Sequence, residues 1–221
     1  MVMKLRAISD EDKTARRSAI LLAALDLLDE DDYHDISIAR IARRAGLAKG
    51  TIFLYFKTKE ELFLQLQMRE YTSWFEDVNR RLHDLLGHKK KIGVAEAVKT
   101  IMVSIRKHST MVRMAPLIHV ILEHNIDYKT ALDFKRFLLA EIRTTGMLIE
   151  RCLPFLRTNG GFRFLLDLHV LIIGVTQISN PAPLVKQVIE KEGMDVFQVK
   201  FEHKLEEMLV ALLAGIKAGS K

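Results

Sequence analysis

The most informative part of the chain is residues 39–62, ARIARRAGLAKGTIFLYFKTKEEL, which combines two short apolar patterns with one turn glycine, Gly46, and six basic residues. The spacing predicts a short helix that Ser37 caps and that runs to about Arg44, and a second helix over Lys49–Leu54. Gly46 falls between them, where a tight bend needs the positive φ that glycine adopts readily. Two short helices joined in this way form a helix-turn-helix.

Apolar spacing on both sides of this motif predicts further helices. Residues 12–30 predict a first helix, and Thr58 with Glu61 three residues later has the form of a capping box that begins a long fourth helix. We therefore expect an N-terminal helix-turn-helix domain of three helices over residues 1–58.

The remaining residues, 59–221, are predicted to form a larger helical bundle. Hydrophobic residues make up 49% of the chain, which holds only 4 prolines and 11 glycines, so the composition favours long helices. No segment predicts a strand, and the expected fold class is all-α. Lys89, Lys90 and Lys91 are expected to lie in a solvated loop. Beyond that loop, helical patterns cover about 94–108, 111–124 with a kink at Pro116, 129–153, 160–179, 184–191 and 195–216.

Positive charge is concentrated on the helix-turn-helix. The formal net charge is +6, a total that suits nucleic acid, an anionic membrane surface or an acidic partner equally well. Its distribution is more informative, because Ser37–Lys59 contains no acidic residue whereas Asp29–Asp35 contains five.

A three-helix unit of this kind presents the start of its second short helix to the major groove of DNA. Lys49 could donate to guanine, Gly50 would let the backbone approach closely, and Thr51 could bind a phosphate or touch a thymine methyl group. Hydroxyl and ammonium groups at helix ends could bind phosphates. We assign this role to Ser37, Tyr55 and Lys59, with Arg16, Arg17, Arg40 and Arg44 extending the footprint.

The run ISIARIARRAGLAKGTIFLYFKTKEELF, residues 36–63, resembles the DNA-binding signature of the tetracycline-repressor (TetR) family of transcriptional regulators. The resemblance spans about residues 12–63 and implies that Thr51, Tyr55 and Lys59 contact DNA. Phe53 departs from the family, which usually has a tyrosine at this position. Without the hydroxyl it cannot bind a phosphate, and its ring can only pack against neighbouring residues or contact a thymine methyl group. Ala48 replaces a common serine or threonine cap, at a cost of about 1 kcal/mol to the recognition helix.

One helix-turn-helix makes too few contacts to select a site in a genome, and a two-fold dimer would read two half-sites. The predicted helix 162–179 is apolar nearly all round and needs cover on every face. The resemblance implies that it and the last helix pair with their copies in a four-helix interface. The alternative, that both helices only complete the monomer core, stays open. The predicted interface residues are Leu168, Ile172, Phe201, Leu205, Met208 and Leu212.

The resemblance also implies a pocket for a small-molecule effector within residues 94–153. Flexible and aromatic side chains would line it, and a polar group would orient the ligand. Each methionine and phenylalanine could equally be ordinary core. The predicted pocket residues are Met102, Arg106, Met114, His119, Phe134 and Met147.

Several functional classes are disfavoured. His119 and Glu123 share a helical face without a third ligand, so we expect no metal site and no cofactor. Phosphate-binding glycine loops and paired catalytic carboxylates are not found, so an enzyme is not expected. Cys152 is the single cysteine, and the apolar run 164–175 is too short to span a bilayer, so we expect a cytoplasmic protein without a membrane span.

Together these observations predict a homodimeric repressor that binds a near-palindromic DNA operator and is released by a small apolar or amphipathic effector. One alternative is a DNA-binding activator, or a regulator without an effector. Another is a helical interaction module that places its basic segment on an acidic protein or a membrane surface.

Overall fold

The computed structural model describes residues 10–88 and 92–220. The predicted loop at Lys89–Lys91 therefore lies outside the described residues. The described residues divide into two compact units, one formed by residues 10–66 with 121–130 and the other by 67–88 and 92–120 with 131–220. The predicted division after residue 58 differs in two respects, since the structural boundary falls within the fourth helix and the first unit includes a segment from far along the chain.

The first unit contains α1 (Asp10–Glu30), α2 (Ile38–Arg44), α3 (Lys49–Ile52) and the first turns of α4 (Lys59–His88). A single 3-10 turn, Tyr33–Asp35, lies between α1 and α2. The predicted bend and the predicted helix cap are both observed. Gly46 has φ 66°, and the Ser37 hydroxyl accepts a hydrogen bond from the Arg40 N–H at the start of α2. The core of this unit is apolar and fully buried, and includes Ile20, Leu27, Ile36, Ile41, Ile52, Phe56, Leu62 and Phe63.

The second unit contains the rest of α4 and six further helices among the described residues. They are α5 (Val94–Lys107), α6 (Ser109–Leu117), α7 (Tyr128–Cys152), α8 (Gly160–Ser179), α9 (Pro183–Lys191) and α10 (Phe201–Gly219). No strand occurs in the part of the chain that the structure describes, which confirms the all-α class.

Two predicted helices differ from those observed. Pro116 lacks the N–H that would bond within α6, and the helix passes directly into a π-helical turn at Ile118–Leu122. The last helix was predicted to begin near residue 195. Instead Asp195–Phe197 forms a 3-10 turn, and α10 begins at Phe201.

α7 and α8 approach each other closely at two glycines. A Cβ atom on Gly161 would lie 2.0 Å from the carbonyl oxygen of Gly146. The Gly161 N–H, at the start of α8, donates to Glu150 Oε1 at 3.0 Å. Only glycine fits this contact, which fixes the spacing of the two helices.

α8 has one buried and one exposed apolar face. Phe164, Leu168 and Ile172 pack into the bundle, whereas Val170 is 66% exposed. The predicted apolar run 164–175 lies within α8, which has 20 residues and is long and apolar enough by length and composition to cross a membrane. A core helix of a soluble bundle has the same properties, and the packed face of α8 fits that description.

A buried carboxylate joins α4 to α5. Asp77 lies on α4 and accepts from Arg81 Nε at 2.7 Å, from Lys107 Nζ at 3.2 Å and from Arg80. Burial favours the neutral acid, but these hydrogen bonds outweigh it and hold the pKa of Asp77 well below its usual range.

Candidate DNA interface and ligand cavity

The leading edge of α3 is open to solvent. Lys49 and Gly50 are exposed, Thr51 is half-buried, and a Cβ on Gly50 would meet nothing within 4 Å. As expected from its side chain, Ala48 occupies the N-cap without a side-chain hydrogen bond. Among the described residues Lys49 has no ion pair, so its ammonium group is available to a ligand.

Two apolar side chains follow the recognition helix at the surface. Phe53 is 47% exposed and Leu54 is 79% exposed. Tyr55 is half-buried, and its carbonyl group accepts from Arg17 Nη1 at 3.2 Å while the Arg17 guanidinium lies 4.5 Å from the centre of the Phe56 ring. Arg17 thus fixes the end of the recognition segment. Leu54 is not among the predicted contact residues, and its only signal in the sequence is a leucine outside the buried stripe.

The arginines of α2 pair with the acidic segment before it. Arg40 Nη2 lies 2.5 Å from Asp31 Oδ2, and Arg44 Nη2 lies 2.6 Å from Glu30 Oε2. The hydrogen bond from Arg44 lowers the pKa of Glu30. Both arginines would have to leave these carboxylates in order to bind phosphates.

Lys59 is also held within the first unit. Its Nζ donates to the Tyr33 carbonyl at 2.5 Å and lies 3.7 Å from the centre of the Tyr33 ring. Burial lowers the pKa of Lys59. Ser37, predicted to bind phosphate, uses its hydroxyl as the helix cap.

The junction of α3 and α4 is bound by a segment distant in sequence. Lys57 Nζ lies 2.5 Å from Asp127 Oδ2, and Thr58 Oγ1 donates to the Asn125 carbonyl at 3.0 Å. Thr58 also accepts from the Glu61 N–H, as its predicted capping role requires, whereas the Glu61 carboxylate accepts from the Lys57 N–H. No local pattern could reveal the role of Asp127 and Asn125.

The second unit contains a largely apolar cavity of about 310 Å³. Its walls come from α4, α6, α7 and α8 and from the turn after α6. Trp74, Phe75 and Met111 belong to the buried wall, whereas His119 and Lys135 are exposed. The lining residues are Tyr71, Trp74, Phe75, Met111, His119, Lys135, Leu138, Leu139, Ile142, Phe162, Leu165, Leu166, Leu168, His169 and Ile172.

Polar groups of the cavity form a short hydrogen-bonded chain. Tyr71 Oη lies 3.4 Å from His169 Nδ1, and His169 Nε2 lies 3.2 Å from His119 Nε2. Both contacts are satisfied when the Tyr71 hydroxyl donates to His169 and His169 donates onward to His119. The Trp74 Nε1–H is buried and has no acceptor among the described residues.

Of the six predicted pocket residues, only His119 lines this cavity. Met102, Met114 and Phe134 are fully buried in the packed core. Met147 is exposed on α7, and Arg106 pairs at the surface with Glu202 and Glu206. These five therefore lie outside this cavity, because core and cavity residues share the same helical spacing, and their role in binding an effector stays a prediction.

The predicted dimer residues fall into two groups by their exposure in the single chain. Leu168, Ile172 and Leu205 are buried within the chain's own core, because the most regular apolar stripe packs inside the monomer. Phe201, Met208 and Leu212 are half-buried and stay a prediction. The exposed apolar residues of the two helices are instead Leu166, Val170, Ile178 and Val210.

An exposed recognition helix after a glycine bend, followed by an all-helical bundle with a cavity, defines a helix-turn-helix regulatory protein. Residues 20–66 match the family described as "Bacterial regulatory proteins, tetR family", and residues 68–220 match "Tetracyclin repressor-like, C-terminal domain". The chain belongs to the tetR family.

Two curated relatives match only in part. The "Fatty acid metabolism regulator protein" of Bacillus subtilis (strain 168) is 30% identical over 82 residues, which are 37% of this chain and 42% of that protein. The "HTH-type transcriptional regulator BetI" of Klebsiella pneumoniae (strain 342) is 48% identical over 71 residues, 32% of this chain and 36% of that protein. The chain thus spans about two fifths of the length of these relatives.

The fold is shared with solved structures over most of the chain. The fatty acid degradation regulator FadR from Bacillus halodurans has a TM-score of 0.51 at 15% identity, covering 88% of this chain and 94% of that one. A tetR family regulator from Shewanella sp. PV-4 has a TM-score of 0.50 at 14% identity, covering 89% and 97%. At these identities the likeness concerns the fold alone.

Proposed function

We propose that this chain is a cytoplasmic, homodimeric repressor that reads a near-palindromic operator and releases it when a small molecule occupies the cavity of the second unit. The observation that carries the proposal is the exposed start of α3, where Lys49, which has no ion pair within the described part of the chain, is followed by Gly50, whose backbone is open to solvent. Such an edge fits the major groove.

Direct reading of bases falls to the start of α3. Lys49 can donate to guanine O6 and N7, and Gly50 allows close approach of the backbone. Thr51 and Tyr55 would bind the flanking phosphates, and Phe53 is exposed enough to meet a thymine methyl group. Arg40, Arg44 and Lys59, held by intramolecular partners, would add mainly sequence-independent affinity.

The test is selection of bound duplexes from a random pool at stated salt, followed by Lys49→Ala on the recovered site. We expect an inverted repeat, and we expect Lys49→Ala to weaken discrimination between matched and mismatched duplexes. Lys186→Ala on α9 removes the same charge from an exposed helix and should change neither property. Random recovered sequences would contradict the proposal, as would equal effects of both variants.

A dimer would cover the exposed face of α8. Leu166, Val170, Gly174 and Ile178 recur at every fourth residue and are all exposed, so they form one stripe. Val210 on α10 is also exposed. Apolar helix faces of this kind are typical of subunit interfaces.

Val170→Asp is expected to convert the dimer to a monomer and to abolish tight operator binding, as measured by light scattering and gel shift. Val120→Asp is the matched control, since Val120 is 69% exposed and lies outside both helices. If Val170→Asp stays dimeric, this face is not the interface.

The cavity would couple to DNA through the segment that binds the α3–α4 junction. His119 lines the cavity, and two residues later the chain enters the 121–130 segment, whose Asp127 and Asn125 hold Lys57 and Thr58. A ligand that prefers the DNA-incompetent state by 100-fold contributes about 2.7 kcal/mol of coupling.

The effector is tested by thermal shift and by release of the operator. The curated B. subtilis relative is named a fatty acid metabolism regulator, which is a reason to include fatty acids in the panel. A ligand that raises the melting temperature and weakens operator binding supports the proposal. Placement of the selected site relative to promoters separates a repressor from an activator.

A further inference from the structure

We propose that Leu54 is a specificity-determining residue, which reads a thymine of the operator by packing against its C5-methyl group in the major groove. The inference rests on the proposed function, since it assigns a further reading residue to the same DNA interface. It follows from the exposure of Leu54, from the helical face on which it lies and from the charge of the surface around it.

Leu54 is an apolar residue that the core does not use. It is 79% exposed, whereas Ile52 and Phe56, two residues away on either side, are fully buried. Single exposed leucines are common on protein surfaces. Leu54 differs from these because it adjoins Phe53, which is 47% exposed, so the two side chains form a small apolar patch directly after the recognition helix.

The backbone keeps a helical form beyond the end of α3, which places Leu54 on the face of the reading residues. The Leu54 N–H donates to the Thr51 carbonyl at 3.2 Å, and the Phe56 N–H donates to the Ile52 carbonyl at 3.0 Å. Residues four apart on a helical backbone share a face, so Leu54 lies on the face of Gly50. A Cβ on Gly50 would meet nothing within 4 Å, so the space on this face is open to a base.

The charge of the surrounding surface favours DNA over a protein as the occupant of this patch. Ser37–Lys59 contains no acidic residue, and Lys49 is exposed and has no ion pair within residues 10–88 and 92–220. An apolar groove of another protein would cover Leu54 but would leave the Lys49 ammonium group without an acceptor at the contact. The major groove supplies acceptors for the lysine, and the thymine methyl is the apolar group that its base edges offer.

The spacing of the two residues predicts where this thymine lies. Leu54 follows Lys49 by five residues, which is about 7.5 Å along a helix that rises 1.5 Å per residue. Successive base pairs of DNA are about 3.4 Å apart. In each half-site the thymine should therefore lie within about two base pairs of the base that Lys49 reads.

The experiment removes the methyl group from the DNA. Each thymine of the duplex recovered by selection is replaced by uracil, one position at a time and in both half-sites, and binding of the full-length protein is measured by fluorescence anisotropy. Loss of the methyl that Leu54 contacts should weaken binding about fourfold per half-site, which corresponds to about 0.8 kcal/mol for one buried methyl group. The two half-sites together should give about fifteenfold, since distant contacts add.

Leu54→Ala should remove this preference, so that the thymine and uracil duplexes bind within about twofold of each other at that position. Leu54→Met keeps an apolar side chain of similar volume and should still prefer thymine. Leu184→Ala is the matched control, because it removes the same side chain from α9, where Leu184 is 72% exposed, and it should bind both duplexes as the parent does. Since Leu54 is not part of the core, Leu54→Ala should melt at the temperature of the parent.

Equal effects of every methyl group in the parent and in Leu54→Ala would overturn the inference. A variant Leu54→Ala that binds DNA like the parent but differs from it in mass by light scattering would make this patch a protein contact instead. A protein that selects an operator but shows no methyl effect at any thymine refutes this inference alone, whereas a protein that selects no operator refutes the proposed function.

Discussion

Gly161→Ala places a methyl group in the closest helix contact of the second unit. Its Cβ would lie 2.0 Å from the Gly146 carbonyl oxygen and 2.7 Å from the carbonyl carbon. Ordinary van der Waals contact begins at 3.4 Å, so α7 and α8 must separate here by the difference, about 1.4 Å. Both partners are backbone atoms of a helix, and no side chain can rotate away.

Moving α7 and α8 apart would also loosen the packing of the buried side chains around this contact. Leu148 and Ile149 on α7 and Phe164 and Leu165 on α8 are buried close by. A gap of about 0.5–1 Å already removes a quarter to a half of each dispersion contact, and overpacking usually costs about 1–3 kcal/mol. Because the displacement exceeds that gap, we expect a loss of about 3 kcal/mol or more in the free energy of unfolding.

Urea denaturation followed by circular dichroism measures this loss, and the melting temperature should fall by about 6–12 °C for a chain of this size. Gly87→Ala is the control, since an added Cβ on this exposed residue of α4 meets nothing within 4 Å. It should change stability by less than about 0.5 kcal/mol, or raise it slightly. A Gly161→Ala variant within 1 kcal/mol of the parent, on this order-of-magnitude scale, would refute the close contact.

Three further predictions concern single side chains. Ala48→Ser supplies the missing cap of α3 and should raise the free energy of unfolding by about 1 kcal/mol in urea, whereas an unchanged midpoint would mean that the helix start is already satisfied. Asp77→Asn should cost about 2 kcal/mol at neutral pH. Because the pKa of Asp77 is lowered by folding, its stabilisation is complete above the unfolded value of about 3.9 and is lost as the pH falls through the folded value. The variant should therefore lose less stability than the parent between about pH 5 and 2, and parallel curves would contradict this assignment. Burial raises the pKa of the Cys152 thiol to about 11, so iodoacetamide should label it slowly in the native protein and quickly in urea, as followed by mass spectrometry; fast native labelling would show that the thiol is accessible.

Much of the fold was predictable because its signals are local. The cap at Ser37, the bend at Gly46 and the apolar spacing of α1, α5, α7 and α8 each depend on neighbouring residues. The start of α10 was not predictable in this way. Asp195–Phe197 has helical spacing but forms a 3-10 turn whose three residues are exposed, so burial does little to stabilise a longer helix there.

The two candidate sites also differ in how far local sequence signals could predict them. The leading edge of α3 is part of a contiguous motif, whereas the cavity depends on which helices pack. Met102 and Met111 have the same side chain. Only the packing of the helices makes Met102 a core residue and Met111 part of the cavity wall. Likewise, α8 has apolar residues on both faces, and composition alone could not tell which face the bundle would bury.

The ion pairs of α2 have a consequence for how DNA is read. Arg40, Arg44 and their carboxylates are all partly exposed, and such pairs contribute at most about 1 kcal/mol each. An arginine can therefore exchange its carboxylate partner for a DNA phosphate at little cost in free energy. The released carboxylate then stays near the DNA, and its negative charge repels the phosphates. Under the proposed function, the acidic segment weakens attraction to any duplex without touching the bases, and discrimination between sequences is left to Lys49 and its neighbours. A protein whose non-specific affinity is reduced spends less time on the competing sites of a genome.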